Sequence, residues 1–179
     1  MSRKSIFETI YNSAPGRVLA RKAGLAEPPE LRRGRVSAQG AVVLAELPGS
    51  GLAAQTLAQL GINSEKPVLD VPEDRIKDER GRQLPPGYLE RPGAFVIDAT
   101  GLRSIEELEL IRQVLRPAMR NLERSGRIII LASDASALEG MEAQAVAQAI
   151  DGINRTVGKE LRGGATSNLI FVRADTGPQ

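Results

Sequence analysis

The feature that most constrains this fold is an alternation of apolar runs with one long amphipathic segment. Residues 126–133 read Gly-Arg-Ile-Ile-Ile-Leu-Ala-Ser, a run typical of a strand buried on both faces of a parallel sheet. After a short polar loop, apolar side chains recur every three or four positions and so share one face of a helix. They are Val146, Ile150, Ile153, Val157 and Leu161. Another apolar run, 168–173, follows, so the order predicts a βαβ unit.

Composition excludes several kinds of site. The 179 residues include no Cys and no His, so disulfides, thiolate nucleophiles and the commonest metal ligand and general base are absent. We therefore expect no metal site. No apolar run approaches the roughly 20 residues that span a bilayer, and Arg3 and Lys4 precede no signal-peptide core. The prediction is a cytoplasmic protein with no membrane contact.

The distribution of charge argues against a nucleic-acid partner. The net charge is only +2, and the basic residues near the start of the chain have no aromatic residues between them. These are Arg17, Arg21, Lys22, Arg32, Arg33 and Arg35. A solvated face, or one that meets an acidic surface, explains them better than binding to a phosphate backbone.

Three regions follow from the pattern of breaks along the chain. Residues 1–40 form a helical leader, broken at 12–16, and a proline-containing arm. The leader's apolar stripe packs either on its own domain or on a partner. Residues 41–174 form an α/β domain in which 72–92 is a long charged loop. Residues 175–179 form a tail or the boundary of a longer chain.

The remaining apolar runs complete a sheet. Strands are predicted at 41–46, 67–71 and 94–98, and helices at 52–60, 104–123 and 142–161, the second opened by a capping box of Ser104 and Glu107. With the βαβ unit, this predicts a three-layer, Rossmann- or flavodoxin-like α/β fold. Its five parallel strands should run in the order 2-1-3-4-5.

A glycine-rich turn follows the first predicted strand. In doubly wound folds such a turn holds the pyrophosphate of a dinucleotide. Here Pro48 has no N–H to donate, and Glu46 places a carboxylate where an anion would lie. We therefore expect no cofactor at this degenerate loop. Its residues are Gly49, Gly51, Asp98 and Gly101.

Residues 152–162 read Gly-Ile-Asn-Arg-Thr-Val-Gly-Lys-Glu-Leu-Arg, which resembles a helix of the short-chain dehydrogenases/reductases. In that family a Ser ends the preceding strand, and a Tyr and a Lys four residues later lie on the helix. The resemblance places Ser133, Ala143 and Ala147 at these positions. A methyl group cannot donate a proton, so the resemblance implies a reductase scaffold with no catalytic residues.

A more specific resemblance is to high-molecular-weight 3-oxoacyl-[acyl-carrier-protein] reductases. It rests on the phrases NSAPG at 12–16, VIDATG at 96–101, LRPAMRNL at 115–122 and GKELRGGAT at 158–166. In that family an N-terminal flavodoxin-like domain precedes a complete reductase domain. The resemblance implies that this chain needs no cofactor. Reduction by NADH or NADPH, of the kind used in fatty acid synthesis, would belong to a C-terminal domain.

The expected work of this chain is therefore binding. The resemblance implies dimerisation, or docking on its own reductase domain, through the two helices at 104–123 and 142–161, the second of which carries Val146, Ile150 and Ile153. An acidic acyl carrier protein could meet a basic helix edge formed by Arg112, Arg116 and Arg120. The alternative is a flavodoxin-like oxidoreductase domain that holds a flavin or nicotinamide nucleotide at 49–51 and 98–101.

Overall fold

A computed structural model describes residues 13–22, 40–69 and 91–173. The first part of the predicted leader, the arm, most of the loop at 72–92 and the tail lie outside these residues. The first described helix, α1, spans Ala14–Lys22 and begins where the Ser13 Oγ accepts a hydrogen bond of 3.2 Å from the Gly16 N–H. The break predicted at 12–16 is wrong from Ala14 onward, because proline is tolerated in the first turn of a helix.

The remaining described elements are five strands and the helices that connect most of them. They are β1 (Val42–Glu46), α2 (Leu52–Gln59), β2 (Ser64–Glu65), β3 (Ala94–Asp98), α3 (Leu108–Asn121), β4 (Arg127–Ser133), a 3-10 turn (Ala135–Ala137), α4 (Met141–Glu160) and β5 (Thr166–Val172). The five strands form one sheet in the order β2-β1-β3-β4-β5, and every pairing is parallel. The predicted α/β fold and strand order are confirmed.

The helices cover the two faces of the sheet unequally. The crossovers β3–α3–β4 and β4–α4–β5 run in the same direction across the sheet, so right-handed connections put α3 and α4 on one face. The connection β1–α2–β2 runs the other way and puts α2 on the opposite face. The larger core cluster joins the strands to α3 and α4, and includes Val43, Phe95, Ile97, Ile111, Ile128, Ile130, Val146 and Ile150. The smaller cluster under α2 contains Leu44, Ala53 and Val96.

Two element boundaries differ from the sequence prediction. The second strand is Ser64–Glu65, which pairs with Val42 and Val43. Residues 67–69 of the strand predicted at 67–71 lie in no strand, and residues 70–71 lie outside the described residues. Both residues of Ser64–Glu65 are exposed, so no apolar run marks this strand, and Pro67 has no N–H for a ladder. Helix α3 begins at Leu108, four residues after the predicted start, because residues 104–107 form turns. The other predicted strands and α4 are confirmed to within about two residues.

Candidate functional site

The sheet has one topological switch point, at the carboxyl ends of β1 and β3. The crossovers leave these neighbouring strands in opposite directions, which is where open α/β sheets bind ligands. Glu46 and Asp98 end the two strands side by side and are register partners. A nucleotide bound by a fold of this kind would lie at this point.

Asp98 occupies the centre of this switch point. Its side chain is fully buried, and its Oδ2 accepts a hydrogen bond of 2.9 Å from the Ala53 N–H in the first turn of α2. Its Oδ1 accepts from Thr100, at 3.2 Å from the N–H and 2.6 Å from the Oγ1 hydroxyl. A helix N-terminus attracts negative charge because its first N–H groups lack partners. The position at which a dinucleotide phosphate would bind is therefore taken by the protein's own carboxylate.

The backbone closes the same space from the other side. The Leu47 N–H donates to the Asp98 carbonyl oxygen at 3.0 Å, which draws the turn after β1 onto β3. A Cβ on Gly101 would lie 2.7 Å from the Gly49 Cα and would overlap the Pro48 carbonyl oxygen. Gly49 itself has a φ of +72°, which glycine adopts without strain. The two turns are in direct contact, and a pyrophosphate could lie between them only if they separated.

Electrostatics at the switch point also disfavour an anion. Glu46 is exposed at the end of β1, beside the buried carboxylate of Asp98. Like charges in one site repel each other, most strongly where water is excluded. A nucleotide phosphate would therefore meet two carboxylates.

The three positions that match the short-chain reductase pattern hold no proton donor for a substrate. The Ser133 hydroxyl, at the end of β4, donates to the Thr100 carbonyl oxygen at 2.7 Å. On α4, Ala143 and Ala147 are both buried in the chain. A general acid must carry a transferable proton within hydrogen-bond reach of the substrate, and neither alanine has one.

The structure corrects the interface predicted on α4. Val146 is 0% exposed and Ile150 is 1% exposed, and both belong to the core beneath the sheet. Ile153 is half-buried against the same core. An apolar stripe shows that a helix face is covered but not what covers it, and here the chain's own sheet covers it. Val146 and Ile150 are unavailable to a second copy while this core is intact.

The structure also divides the predicted basic edge on α3. Arg112 pairs with Glu109 of the same helix, with its Nε 2.6 Å from the Glu109 Oε2. This hydrogen bond raises the pKa of Arg112 and lowers the pKa of Glu109. Arg116 and Arg120 instead line a concavity at the opposite end of the sheet from Asp98.

Sequence reasoning missed the other two arginines of this concavity, Arg124 and Arg162. They lie in the loops that precede β4 and β5. Loops that precede parallel neighbouring strands meet at the same edge of a sheet, and this rule was the available signal.

Two negative findings apply to the residues that the structure describes. None of their helices has both the length and the apolar character needed to cross a bilayer. Nor do three or more of their carboxylates gather where they could coordinate a metal ion.

Two comparisons with known proteins were without a match. No model of a protein family matches this sequence, and no curated protein matches it significantly. The architecture alone therefore classifies the chain, as a parallel α/β protein with a Rossmann- or flavodoxin-like sheet.

Proposed function

We propose that this chain is a non-catalytic binding domain of a 3-oxoacyl-[acyl-carrier-protein] reductase. Reduction by NADH or NADPH would reside in a separate C-terminal domain. One observation carries the proposal: the Asp98 carboxylate caps α2 at 2.9 Å from the Ala53 N–H, in the space that a nucleotide phosphate needs. A domain whose own carboxylate fills the nucleotide site keeps the fold of a reductase but does not carry out the reduction.

The positions equivalent to a reductase active site support the same conclusion. Ala143 and Ala147 offer only methyl groups, and the Ser133 hydroxyl is bound to Thr100. Ketone reduction needs a hydride donor and a proton donor together. The described residues supply no proton donor at these positions.

The test is a thermal melt of the chain with NADH, NADPH or FMN. A ligand at a hundredfold excess over its Kd stabilises the protein by about 2.7 kcal/mol, which is readily measured. We expect no shift with any of the three. A reductase with an intact glycine-rich turn, melted beside it, is the positive control. Stabilisation by FMN would favour the alternative, a flavin-binding oxidoreductase domain, and stabilisation by a nicotinamide nucleotide would overturn the empty-site proposal.

A binding domain needs a docking surface, and the outer edge of β5 is the best supported. Among the described strands, only β4 pairs with β5. The strand Thr166–Val172 contains no charged residue and no proline, although natural proteins usually protect an edge with one or the other. Ile170 and Phe171, on opposite faces of the strand, are 49% and 47% exposed. The proposal therefore places the docking contact here and not on Val146 and Ile150.

The occupant that we propose for this edge is a second copy of the chain. Two β5 strands related by a two-fold axis would pair antiparallel and satisfy each other's free N–H and C=O groups. Sedimentation at increasing concentration should then show a dimer, and Ile170→Lys should yield a monomer. Leu60→Lys, at a residue that is 67% exposed on the far side of the sheet, is the matched control and should remain dimeric.

The resemblance names two other partners, the reductase domain and an acidic acyl carrier. A wild-type chain that sediments as a monomer at every concentration would contradict self-association through β5. It would leave the nucleotide result unaffected, so the two parts of the proposal fail separately.

A further inference from the structure

The amino end of the sheet holds a cavity of about 580 Å³. It lies between the C-terminal ends of α3 and α4 and the loops that lead into β4 and β5. Four guanidinium groups and two carboxylates line it, so its wall is positively charged. The charged residues are Arg116, Arg120, Arg124, Arg162, Glu123 and Glu160.

Most of this positive charge has no ion-pair partner among the described residues. Arg116, Arg120 and Arg162 form no ion pair with any residue in the described part of the chain. Of the two carboxylates, Glu123 already accepts a hydrogen bond of 2.8 Å from the Arg124 N–H. The arginines therefore keep donors that can bind a ligand.

The helix dipole explains only part of this cluster. Arg120 lies in the last turn of α3, where a cation is stabilised by about 0.3–1 kcal/mol. Arg116 lies one turn earlier, and Arg162 follows the end of α4. The dipole does not account for side chains from two helices and two loops lining one cavity.

The inner wall of the cavity is apolar. Met119, Leu122 and Leu161 line it and are half-buried against the main core. A ligand that filled the volume would therefore place a hydrocarbon segment on these side chains. The volume also lies within the roughly 300–1,000 Å³ typical of small-molecule sites.

We propose that this cavity binds a soluble organic phosphate, with its phosphate on Arg116, Arg120 and Arg162 and its apolar part on Met119 and Leu161. Guanidinium groups bind phosphate oxygens in a bidentate geometry. A phosphate dianion also matches a wall with several unpaired cations better than a carboxylate with a single charge. The inference is independent of the proposed function, because it concerns the opposite end of the sheet.

The test is a titration of the full chain, followed by NMR, with hexyl phosphate as the probe. Hexanoate, hexanol and inorganic phosphate are the comparison ligands. Hexyl phosphate should bind about tenfold tighter than any of these, because only it uses both parts of the cavity. Amide signals of Gly163 and Ala165, which line the cavity, should move, and those of Gly49 and Gly101 should not.

Two double variants separate the site from general charge effects. Arg120→Gln with Arg162→Gln should weaken hexyl phosphate binding by about tenfold or more, since each loses a charge-assisted hydrogen bond. The second double variant, Arg112→Gln with Arg155→Gln, also removes two positive charges, one from α3 and one from α4. Both of these arginines lie in exposed ion pairs, with Glu109 and Asp151, and neither lines the cavity. This control should bind as the wild type does.

Several results would overturn the inference. One is that hexanol, hexanoate or inorganic phosphate binds with the same affinity as hexyl phosphate. Another is that the Arg120 and Arg162 double variant binds hexyl phosphate as tightly as the wild type does. A third is that the Gly163 amide signal does not move. Pelleting with phosphatidic acid vesicles, without binding of hexyl phosphate, would point to a membrane lipid instead and would overturn the soluble ligand. The unfolding midpoint of each variant confirms that it is folded.

Discussion

The two ends of this sheet have opposite character. At the carboxyl end, where doubly wound folds bind ligands, Asp98 and the contact between Gly49 and Gly101 fill the crevice. At the amino end, a cavity of about 580 Å³ is open and is lined by Arg116, Arg120 and Arg162, which have no ion-pair partner in the described part of the chain. Protein atoms fill the crevice at the carboxyl end, whereas the amino end is accessible.

Charge follows the same division. In a parallel α/β fold every crossover helix begins at the carboxyl end of the strands and finishes at the amino end, so the helix dipoles align. Carboxylates of Asp98, Glu107 and Asp134 accept backbone N–H groups at the carboxyl end. Arg120 and Arg162 lie at the amino end. The helix dipoles favour this segregation of charge at both ends, and at the carboxyl end these three carboxylates are bound by the protein's own N–H groups.

The largest effect on this difference between the two ends is expected from Asp98→Ala. The change removes the acceptor of the Ala53 N–H and of the Thr100 N–H and hydroxyl. The Ala53 bond is buried and the two Thr100 bonds are partly buried. A buried donor without a partner costs about 1–3 kcal/mol, and less where water can reach it, so we expect the free energy of unfolding in urea to fall by roughly 3 kcal/mol.

Asp98→Asn is the matched control, because it preserves the shape and one acceptor oxygen. It should cost about half as much as the alanine variant. If the free energy of unfolding of Asp98→Ala were within about 1 kcal/mol of the wild-type value, the carboxylate would not be what fills the carboxyl end of the sheet.

A smaller effect should come from Gly101→Ala. The added methyl would overlap the Pro48 carbonyl oxygen and the Gly49 Cα, and these backbone atoms can move only if the turn opens. We expect a loss of about 2 kcal/mol in the free energy of unfolding, measured by urea denaturation.

Gly51 in the same turn provides the control for Gly101. A Cβ there meets nothing within 4 Å, so Gly51→Ala should change stability by no more than about 0.5 kcal/mol. Equal effects at the two glycines would show that the turns are not in close contact.

The smallest effect concerns pH at the start of α3. The N–H groups of Arg103 and Ser104 donate to the Glu107 Oε2 at 2.7 and 2.9 Å, and these bonds lower the pKa of Glu107 from 4.5. A carboxyl group whose pKa is lower in the folded state stabilises the protein above its unfolded pKa. That contribution is lost as the pH falls through the folded pKa.

Glu107→Gln should therefore be less stable than the wild type at pH 7, and the difference should shrink below a pH of about 4.5. Thermal melts across this range measure it. Glu106→Gln removes an exposed neighbouring carboxylate that accepts neither of these hydrogen bonds, and it is the matched control. A constant difference for Glu107→Gln at every pH would mean that its hydrogen bonds are not linked to its charge.

Periodicity predicted the fold more reliably than it predicted exposed surfaces. The runs that became β3 and β4 and the stripe on α4 identified their elements, because burial on two faces or on one face leaves a local pattern. The strand at Ser64–Glu65 was missed because both residues are exposed. The interface at Val146 and Ile150 followed from the family resemblance, and the pattern could not correct it because an apolar stripe does not specify its partner.

Local residue types sufficed to predict a parallel α/β sheet, whereas the interest in Ala143 and Ala147 came from the family resemblance. Contacts between distant residues were needed to show how the crevice closes and where the arginines gather. Asp98 reaches the Ala53 N–H across 45 residues, and Arg120 and Arg162 line one cavity from two separate crossovers. No local pattern encodes such pairs, because only the order and twist of the strands bring their ends together.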